Sequence, residues 1–166
     1  GFFTYMPHGS SDVEQFPGDG AMIMRDGKIM PLYYDTQKIL KEIQEIIPVV
    51  TKFTYHHSAY EVKTFNSFLK QLDYAVNEKL DNVETFSTDR EGVLINELYN
   101  EKDGQYLYCI VNMAEVRCEE EKGMVQTTTV QFNKKFKHAD VFAGGQWQTY
   151  ALTDGILETK LLPGDS

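Results

Sequence analysis

Hydrophobic residues in the first third of the chain recur at helical spacing over one long segment. The segment begins at Pro31, a residue type favoured in the first turn of a helix, and Pro48 is expected to end it. One stripe along it is apolar while lysine and glutamate face outward, and the stripe consists of Leu32, Ile39, Ile43, Ile46 and Ile47. The pattern predicts an amphipathic helix, preceded by an apolar strand at residues 1–6 and a long irregular loop.

Apolar residues, mostly Phe and Leu, also recur at helical spacing over residues 65–76. This spacing predicts a second amphipathic helix with Thr64 as its N-cap. The polar stretch at residues 81–92 predicts a linker. The chain therefore divides into residues 1–48, a helical linker segment at 49–91, and residues 92–166.

From Gly92 onward the pattern changes to short apolar or alternating runs separated by turn residues. Asn100 to Gly104 predicts the turn of one β-hairpin, and Asp154-Gly155 predicts the turn of a second. The expected strands are residues 93–99, 105–113, 124–132, 139–142, 147–152 and 156–162. About six short strands at this spacing are typical of an antiparallel β-sandwich, so the fold class is expected to be α+β.

The charge of the chain narrows the range of partners. It carries 25 acidic and 16 basic residues and a formal net charge of -9. Nucleic-acid binding requires a basic surface, and no apolar run approaches the roughly 20 residues that span a bilayer. We therefore expect neither a nucleic-acid nor a membrane partner.

The order of short motifs carries a resemblance to a known family. The motifs in the first part are Gly1-Phe2-Phe3-Thr4-Tyr5, Gly20-Ala21-Met22-Ile23, Arg25-Asp26-Gly27-Lys28 and Leu32-Tyr33-Tyr34. Those in the last part are residues 106–112, Ala139-Asp140-Val141, Gly145-Gln146-Trp147 and Leu161-Leu162-Pro163-Gly164-Asp165. Together they resemble the last strand and helix of a β-galactosidase-like (β/α)8-barrel glycoside hydrolase and the β-sandwich behind that barrel.

The resemblance implies that the catalytic residues belong to a longer parent enzyme and that this chain has a supporting role. Glycoside hydrolysis uses two carboxyl groups that flank the scissile bond. In the family these follow the fourth and seventh barrel strands, which would precede Gly1, so the chain is expected to begin within a fold and to contain no catalytic residue. The resemblance implies a non-catalytic C-terminal region that supports the barrel, supplies one pocket loop and needs no cofactor. Its partner would be carbohydrate, bound through the parent.

The pocket loop would lie at the C-terminal face of the barrel, where barrel active sites lie. The candidate sugar-binding residues of this loop are Tyr5, His8, Asp12 and Glu14. Tyr5 would stack on a pyranose ring or belong to the core. The two acids would bind hydroxyl groups or remain solvated charges on the loop.

Two aromatic residues near the end of the chain support an alternative interpretation. Trp147, together with Tyr150, would form a sugar-stacking platform or would pack against neighbouring structure. With a platform, the chain would be a free-standing carbohydrate-binding module. Without a sugar role, it would be a protein-interaction β-sandwich.

The remaining candidates concern metal binding and association. Adjacent residues of a strand point to opposite faces, so His56 and His57 are expected to be surface or packing residues, and no metal site is expected. Phe2, Phe3 and Met6 would lack barrel partners in this chain. Because exposed apolar patches promote association, the first segment would fold back on the rest or pair two chains as a homo-oligomer.

Overall fold

A computed structural model describes residues 22–23, 27–62, 77–90, 92–113 and 125–161. The chain forms two compact units, Gly1–Pro48 and Val49–Ser166. The described residues are mostly β-strand with one helix, so the α+β class is confirmed at that level. The elements are α1 (Pro31–Val50), β1 (Thr54–Val62), β2 (Val83–Thr88), β3 (Gly92–Asn100), β4 (Gln105–Asn112), β5 (Gln126–Phe132), β6 (His138–Ala143), β7 (Gln146–Ala151) and β8 (Ile156–Leu161).

Helix α1 begins at Pro31 as predicted, but it continues through Pro48 to Val50. The prediction that Pro48 ends the helix is wrong by two residues: proline has a helical φ, and the loss of one hydrogen bond and the crowding at the preceding turn are tolerated this close to the end of the helix. Thr36 is the one buried residue described in the helix. Within the part of the chain that the structure describes, no helix is long and apolar enough to cross a membrane.

The strands that the structure describes in the second unit form three antiparallel groups. One sheet has the order β1-β3-β4, another has the order β2-β5-β8, and β6 pairs with β7. The predicted hairpin of β3 and β4 is confirmed, with Asn100 opposite Gln105 at its turn. The predicted strand at residues 1–6 and the predicted helix at residues 65–76 lie outside the described residues.

The linker predicted at residues 81–92 is wrong, because this segment contains β2, which pairs with β5. Strand β2 has the sequence Val-Glu-Thr-Phe-Ser-Thr, whose polar residues conceal the strand pattern. Threonine has a branched β-carbon that suits a strand, and both Val83 and Thr88 are buried. Strand β1 also lies in the segment predicted as a helical linker, residues 49–91, and it pairs with β3 in the other sheet.

The second predicted hairpin is also wrong. Strand β7 pairs with β6, whereas β8 pairs with β5. The turn itself is present, with φ values of 53° at Asp154 and 81° at Gly155. The backbone carbonyl of Gly155 accepts a hydrogen bond of 2.8 Å from the amide of Phe132. The turn therefore directs β8 onto the edge of β5 instead of back along β7.

Both three-stranded sheets contribute buried residues to one hydrophobic core. The core consists of Ala59, Leu80, Val83, Val93, Ile95, Val130, Phe132, Leu152 and Leu157. The fully buried Gln126 connects the strands beside this core. Its side-chain oxygen accepts hydrogen bonds from Thr88 and from the amide of Gly92, while its nitrogen donates to the Gly92 carbonyl and to Asn112.

Candidate functional site

A β-bulge in β1 brings two adjacent histidines to the same side of the strand. The register against β3 shifts here, so that Tyr55 pairs with Leu98, His57 pairs with Glu97, and His56 is the extra residue. The ring centroids of His56 and His57 lie 4.0 Å apart, and that of His56 is 5.9 Å from the ring of Tyr99. The expectation that the two histidines point to opposite faces is therefore wrong.

Glu97 lies beside this pair, on the core side of the sheet. It pairs with His57 of β1 on one side and with Tyr108 of β4 on the other. Its side chain is fully buried, and its two carboxylate oxygens accept the backbone N–H of Asp81 at 3.1 and 3.3 Å. A buried carboxylate thus holds the segment before β2 against the sheet.

Asp81 presents its carboxylate to both histidines. Its Oδ2 accepts a hydrogen bond of 3.0 Å from the Tyr106 hydroxyl and lies 3.2 Å from His56 Nε2. Its Oδ1 is 4.0 Å from His57 Nε2. The Tyr106 hydrogen bond, with the nearby histidines, holds the pKa of Asp81 below its usual value, although some loss of hydration acts in the opposite direction.

Glu78 lies on the other side of His57 and is fixed by two donors. Its Oε2 accepts hydrogen bonds of 2.9 Å from the Ser58 amide and 3.0 Å from the Tyr55 hydroxyl. These two bonds, the Ser58 amide first, hold the pKa of Glu78 below its usual value. Its Oε1 lies 3.7 Å from His57 Nδ1, a buried nitrogen that has no hydrogen-bond partner among the residues that the structure describes.

The residues His56, His57, Asp81 and Glu97 form the His–carboxylate cluster. One donor atom from each lies within 4.8 Å of the donor atoms of the other three. Imidazole nitrogen and carboxylate oxygen together suit zinc and other first-row divalent ions. The arrangement is chemically able to hold one such ion.

The Tyr108 hydroxyl borders the cluster. It is buried beside Glu97 and has no hydrogen-bond partner within the described part of the chain. Burial, followed by the charge of Glu97, raises the pKa of Tyr108 above its usual value. This phenol therefore stays protonated beside the buried carboxylate.

The residues predicted from the sequence lie elsewhere. Tyr5, His8, Asp12 and Glu14 are outside the described residues. Trp147 lies on β7 and is 41% exposed, with its ring centroid 5.2 Å from that of Phe142. Strand alternation places Trp147 and Tyr150 on opposite sides of β7, and the Tyr150 hydroxyl donates to Gln148. The prediction of a platform that both aromatics share is therefore wrong.

Sequence reasoning missed Asp81 and Glu97. A signal for Glu97 exists, because it is the charged residue of β3 and falls in step with the apolar Val93 and Ile95 on alternate positions of that strand. Glutamate is almost never fully buried unless it is paired. No comparable signal marks Asp81, which belongs to a stretch of polar residues.

Comparison with protein-family models, with curated proteins and with solved structures found no match to this chain.

Proposed function

We propose that the chain is the non-catalytic C-terminal region of a glycoside hydrolase, in which it supports a (β/α)8 barrel and supplies one pocket loop. The proposal begins from the ordered resemblance of the sequence motifs. Two antiparallel three-stranded sheets that share one core support the sandwich part of that proposal. The catalytic carboxylate pair of the parent enzyme would lie outside this chain.

The exposed apolar side of α1 is the observation that carries the proposal. Leu32, Ile39 and Ile47 belong to the apolar stripe, yet they are 38%, 46% and 47% exposed. Most of the stability of an amphipathic helix comes from packing of its apolar side. In a (β/α)8 barrel, the outer helices pack that side against the strands. The preceding strands of a barrel would cover this stripe.

Two measurements test the proposal. The coding sequence upstream of Gly1 is expected to encode barrel strands, with an acidic residue after the fourth and after the seventh. The purified 166-residue chain is expected to hydrolyse no member of a panel of chromogenic glycosides. An upstream sequence without barrel strands, or clear turnover by a contaminant-free preparation of this chain, contradicts the proposal.

A matched pair of substitutions tests the role of the helix. Ile39→Asn on the apolar side is expected to lower the melting temperature of the barrel-containing protein. It should have little effect in the isolated chain, where Ile39 is already exposed. Lys38→Asn on the polar side serves as the control. Equal effects of the two substitutions in the longer protein would argue against a barrel contact.

A carbohydrate-binding module is a second candidate, which the exposed Trp147 favours. Phe142 and Trp147 are paired across β6 and β7 and lie on one side of the hairpin. Asp140 and Thr149 share that side and are joined by a hydrogen bond of 2.6 Å. Aromatic faces beside polar groups are a surface on which sugar rings stack and hydrogen-bond.

Fluorescence distinguishes this second candidate, since Trp147 is the single tryptophan of the chain. A bound glycan is expected to change the emission of Trp147 in a saturable manner. Phe142→Ala should weaken the response, whereas Tyr150→Ala, on the opposite side of the strand, should preserve it. An unchanged spectrum over a broad glycan panel rejects the module.

A further inference from the structure

We infer that the His–carboxylate cluster binds one divalent transition-metal ion, for which Zn²⁺ is the best fit, and that the ion fastens the segment before β2 to the sheet β1-β3-β4. The inference is independent of the proposed function, which assigns no metal to this region. It rests on the spacing, the charge and the orientation of the four side chains.

The spacing of the donor atoms is close to what a single ion requires. Zinc bonds to nitrogen and oxygen are about 2.0–2.2 Å long, which places two ligands of a tetrahedral ion about 3.3–3.6 Å apart. His56 Nε2 and Asp81 Oδ2 are 3.2 Å apart, and His57 Nε2 and Asp81 Oδ1 are 4.0 Å apart. Because all four donors lie within 4.8 Å of one another, small side-chain rotations bring them onto one ion.

The charge of the site favours a cation. Asp81 and Glu97 bring two carboxylates to the cluster, and Glu78 adds a third on its border. Within the described ranges, no lysine or arginine forms an ion pair with any of these three carboxylates. Glu97 is fully buried, and a buried charge is costly unless it is paired or coordinates a metal. A divalent ion would balance the two carboxylates of the cluster.

The orientation of His57 matches that of a ligand. A metal-binding histidine usually donates its second ring N–H to a carboxylate, which fixes the ring. If Nε2 of His57 faces the ion, Nδ1 faces Glu78 Oε1 at 3.7 Å. Glu78 is itself held by the Ser58 amide and the Tyr55 hydroxyl. The buried Nδ1, which has no hydrogen-bond partner in the described ranges, would gain one through a small movement of the ring.

The arrangement suits a structural ion better than a catalytic one. Four protein donors fill a tetrahedral site, whereas a catalytic zinc keeps one position for water or substrate. The donors come from β1, β3 and the segment before β2, so the ion connects parts of the chain that are distant in sequence. We expect metal binding to stabilise the fold of the second unit.

Calorimetric titration of the tag-free, chelator-treated chain with ZnCl₂ tests the inference. One equivalent of Zn²⁺ should bind, and Mg²⁺, which prefers oxygen ligands and keeps several waters, should bind at least about a hundredfold more weakly. With free zinc at a hundred times the Kd, the melting temperature should rise by about 5–10 °C. A titration without saturable zinc binding overturns the inference.

Matched variants assign the binding to the cluster. His57→Ala and Asp81→Asn should each weaken zinc binding by at least about a hundredfold, and Glu78→Gln should weaken it by about tenfold or more. His138→Ala removes a histidine of β6 outside the cluster and should change the affinity less than twofold. If His138→Ala weakens binding as much as His57→Ala, the cluster is not the site.

A measurement on the unmodified chain keeps the inference testable if a variant does not fold. Long-range ¹H–¹⁵N spectra report the ring nitrogens of all four histidines. Stoichiometric zinc should shift one nitrogen each of His56 and His57 and leave His8 and His138 unchanged. Shifts confined to His8 or His138, or no shifts at all, contradict the inference.

Discussion

His56 and His57 are neighbours in sequence, yet their rings lie on the same side of β1 with centroids 4.0 Å apart. The bulge in the β1–β3 ladder accounts for this geometry, because His56 has no counterpart on β3. Bulges next to functional sites often redirect a side chain. In the metal-binding account, the bulge brings the second histidine to the ion. Regular pairing between β1 and β3 does not require this extra residue.

Deletion of His56 tests whether the bulge serves metal binding or the stability of the sheet. Without this residue, the pairs Tyr55–Leu98 and His57–Glu97 become consecutive rungs of a regular ladder. The free energy of unfolding of the metal-free protein should change by no more than about 1 kcal/mol, while zinc binding is lost. Urea unfolding and calorimetry measure the two effects.

Deletion of Tyr60 is the matched control, since it removes a residue from the regular part of the ladder. It should reverse the faces of the flanking residues and destabilise the fold strongly. A deletion of His56 that is as damaging as that of Tyr60 would show that the bulge is structural.

Gly155→Ala should be among the more damaging single substitutions in the second unit. A Cβ at this position would lie 2.3 Å from the carbonyl oxygen of Phe132, and the φ of 81° is unfavourable for alanine. Gly104 also has a positive φ, of 66°, but nothing lies within 4 Å of a Cβ placed there. We expect Gly104→Ala to cost about 1 kcal/mol and Gly155→Ala about 2–4 kcal/mol in urea unfolding. Equal costs would contradict the close contact.

Gln126→Ala removes the centre of a buried hydrogen-bond network. The substitution leaves Thr88, Asn112 and the backbone of Gly92 without their shared partner. Thr88, Asn112 and the Gly92 carbonyl each keep another hydrogen bond, to the Arg90 amide, the Leu161 carbonyl and the Met113 amide. Because an unsatisfied buried group costs about 1–3 kcal/mol and these groups stay partly satisfied, a total loss of about 2–4 kcal/mol is expected in urea unfolding. Gln105→Ala, at an exposed position of β4, should cost less than about 0.5 kcal/mol. If the two variants unfold alike, the network does not stabilise the protein.

Features that depend on local sequence could be predicted. The turn from Asn100 to Gly104 and the apolar runs beside it predicted the β3–β4 hairpin, which is confirmed. The start of α1 at Pro31 was likewise predictable from its preference for the first turn. Strand β2 was not, because most of its residues are polar and a bulge between Val83 and Thr85 breaks the alternation that would mark a strand.

Features that depend on distant partners could not be predicted. The Asp154-Gly155 turn was found, but its sequence does not reveal that β8 continues along β5. The His–carboxylate cluster was missed for a related reason. Its histidines converge because of the register between β1 and β3, and a register between strands is not visible in either strand alone.

Tyr106→Phe should raise the pKa of Asp81 in the metal-free protein. The Tyr106 hydroxyl is the largest cause of the lowered pKa, and phenylalanine cannot donate a hydrogen bond. A carboxyl with a lowered folded-state pKa adds stability above its unfolded pKa, about 3.9 for Asp, and this stability is lost as the pH falls through the folded value. The variant should therefore lose less stability than the wild type below about pH 4.

Carboxyl ¹³C chemical shifts followed during an acid titration measure this pKa. Tyr150→Phe, which removes a hydroxyl from the exposed strand β7, is the control and should leave Asp81 unchanged. An Asp81 titration that is identical in Tyr106→Phe and in the wild type would show that this hydrogen bond does not set the pKa.

Anomalous diffraction at the zinc absorption edge tests the central claim most directly. Crystals of the tag-free chain grown with one equivalent of Zn²⁺ should show one strong anomalous peak about 2.0–2.2 Å from a ring nitrogen of His56, a ring nitrogen of His57 and a carboxylate oxygen of Asp81 or Glu97. Absence of a peak at the bulge, or a peak bound by only one of the two histidines, would contradict the account.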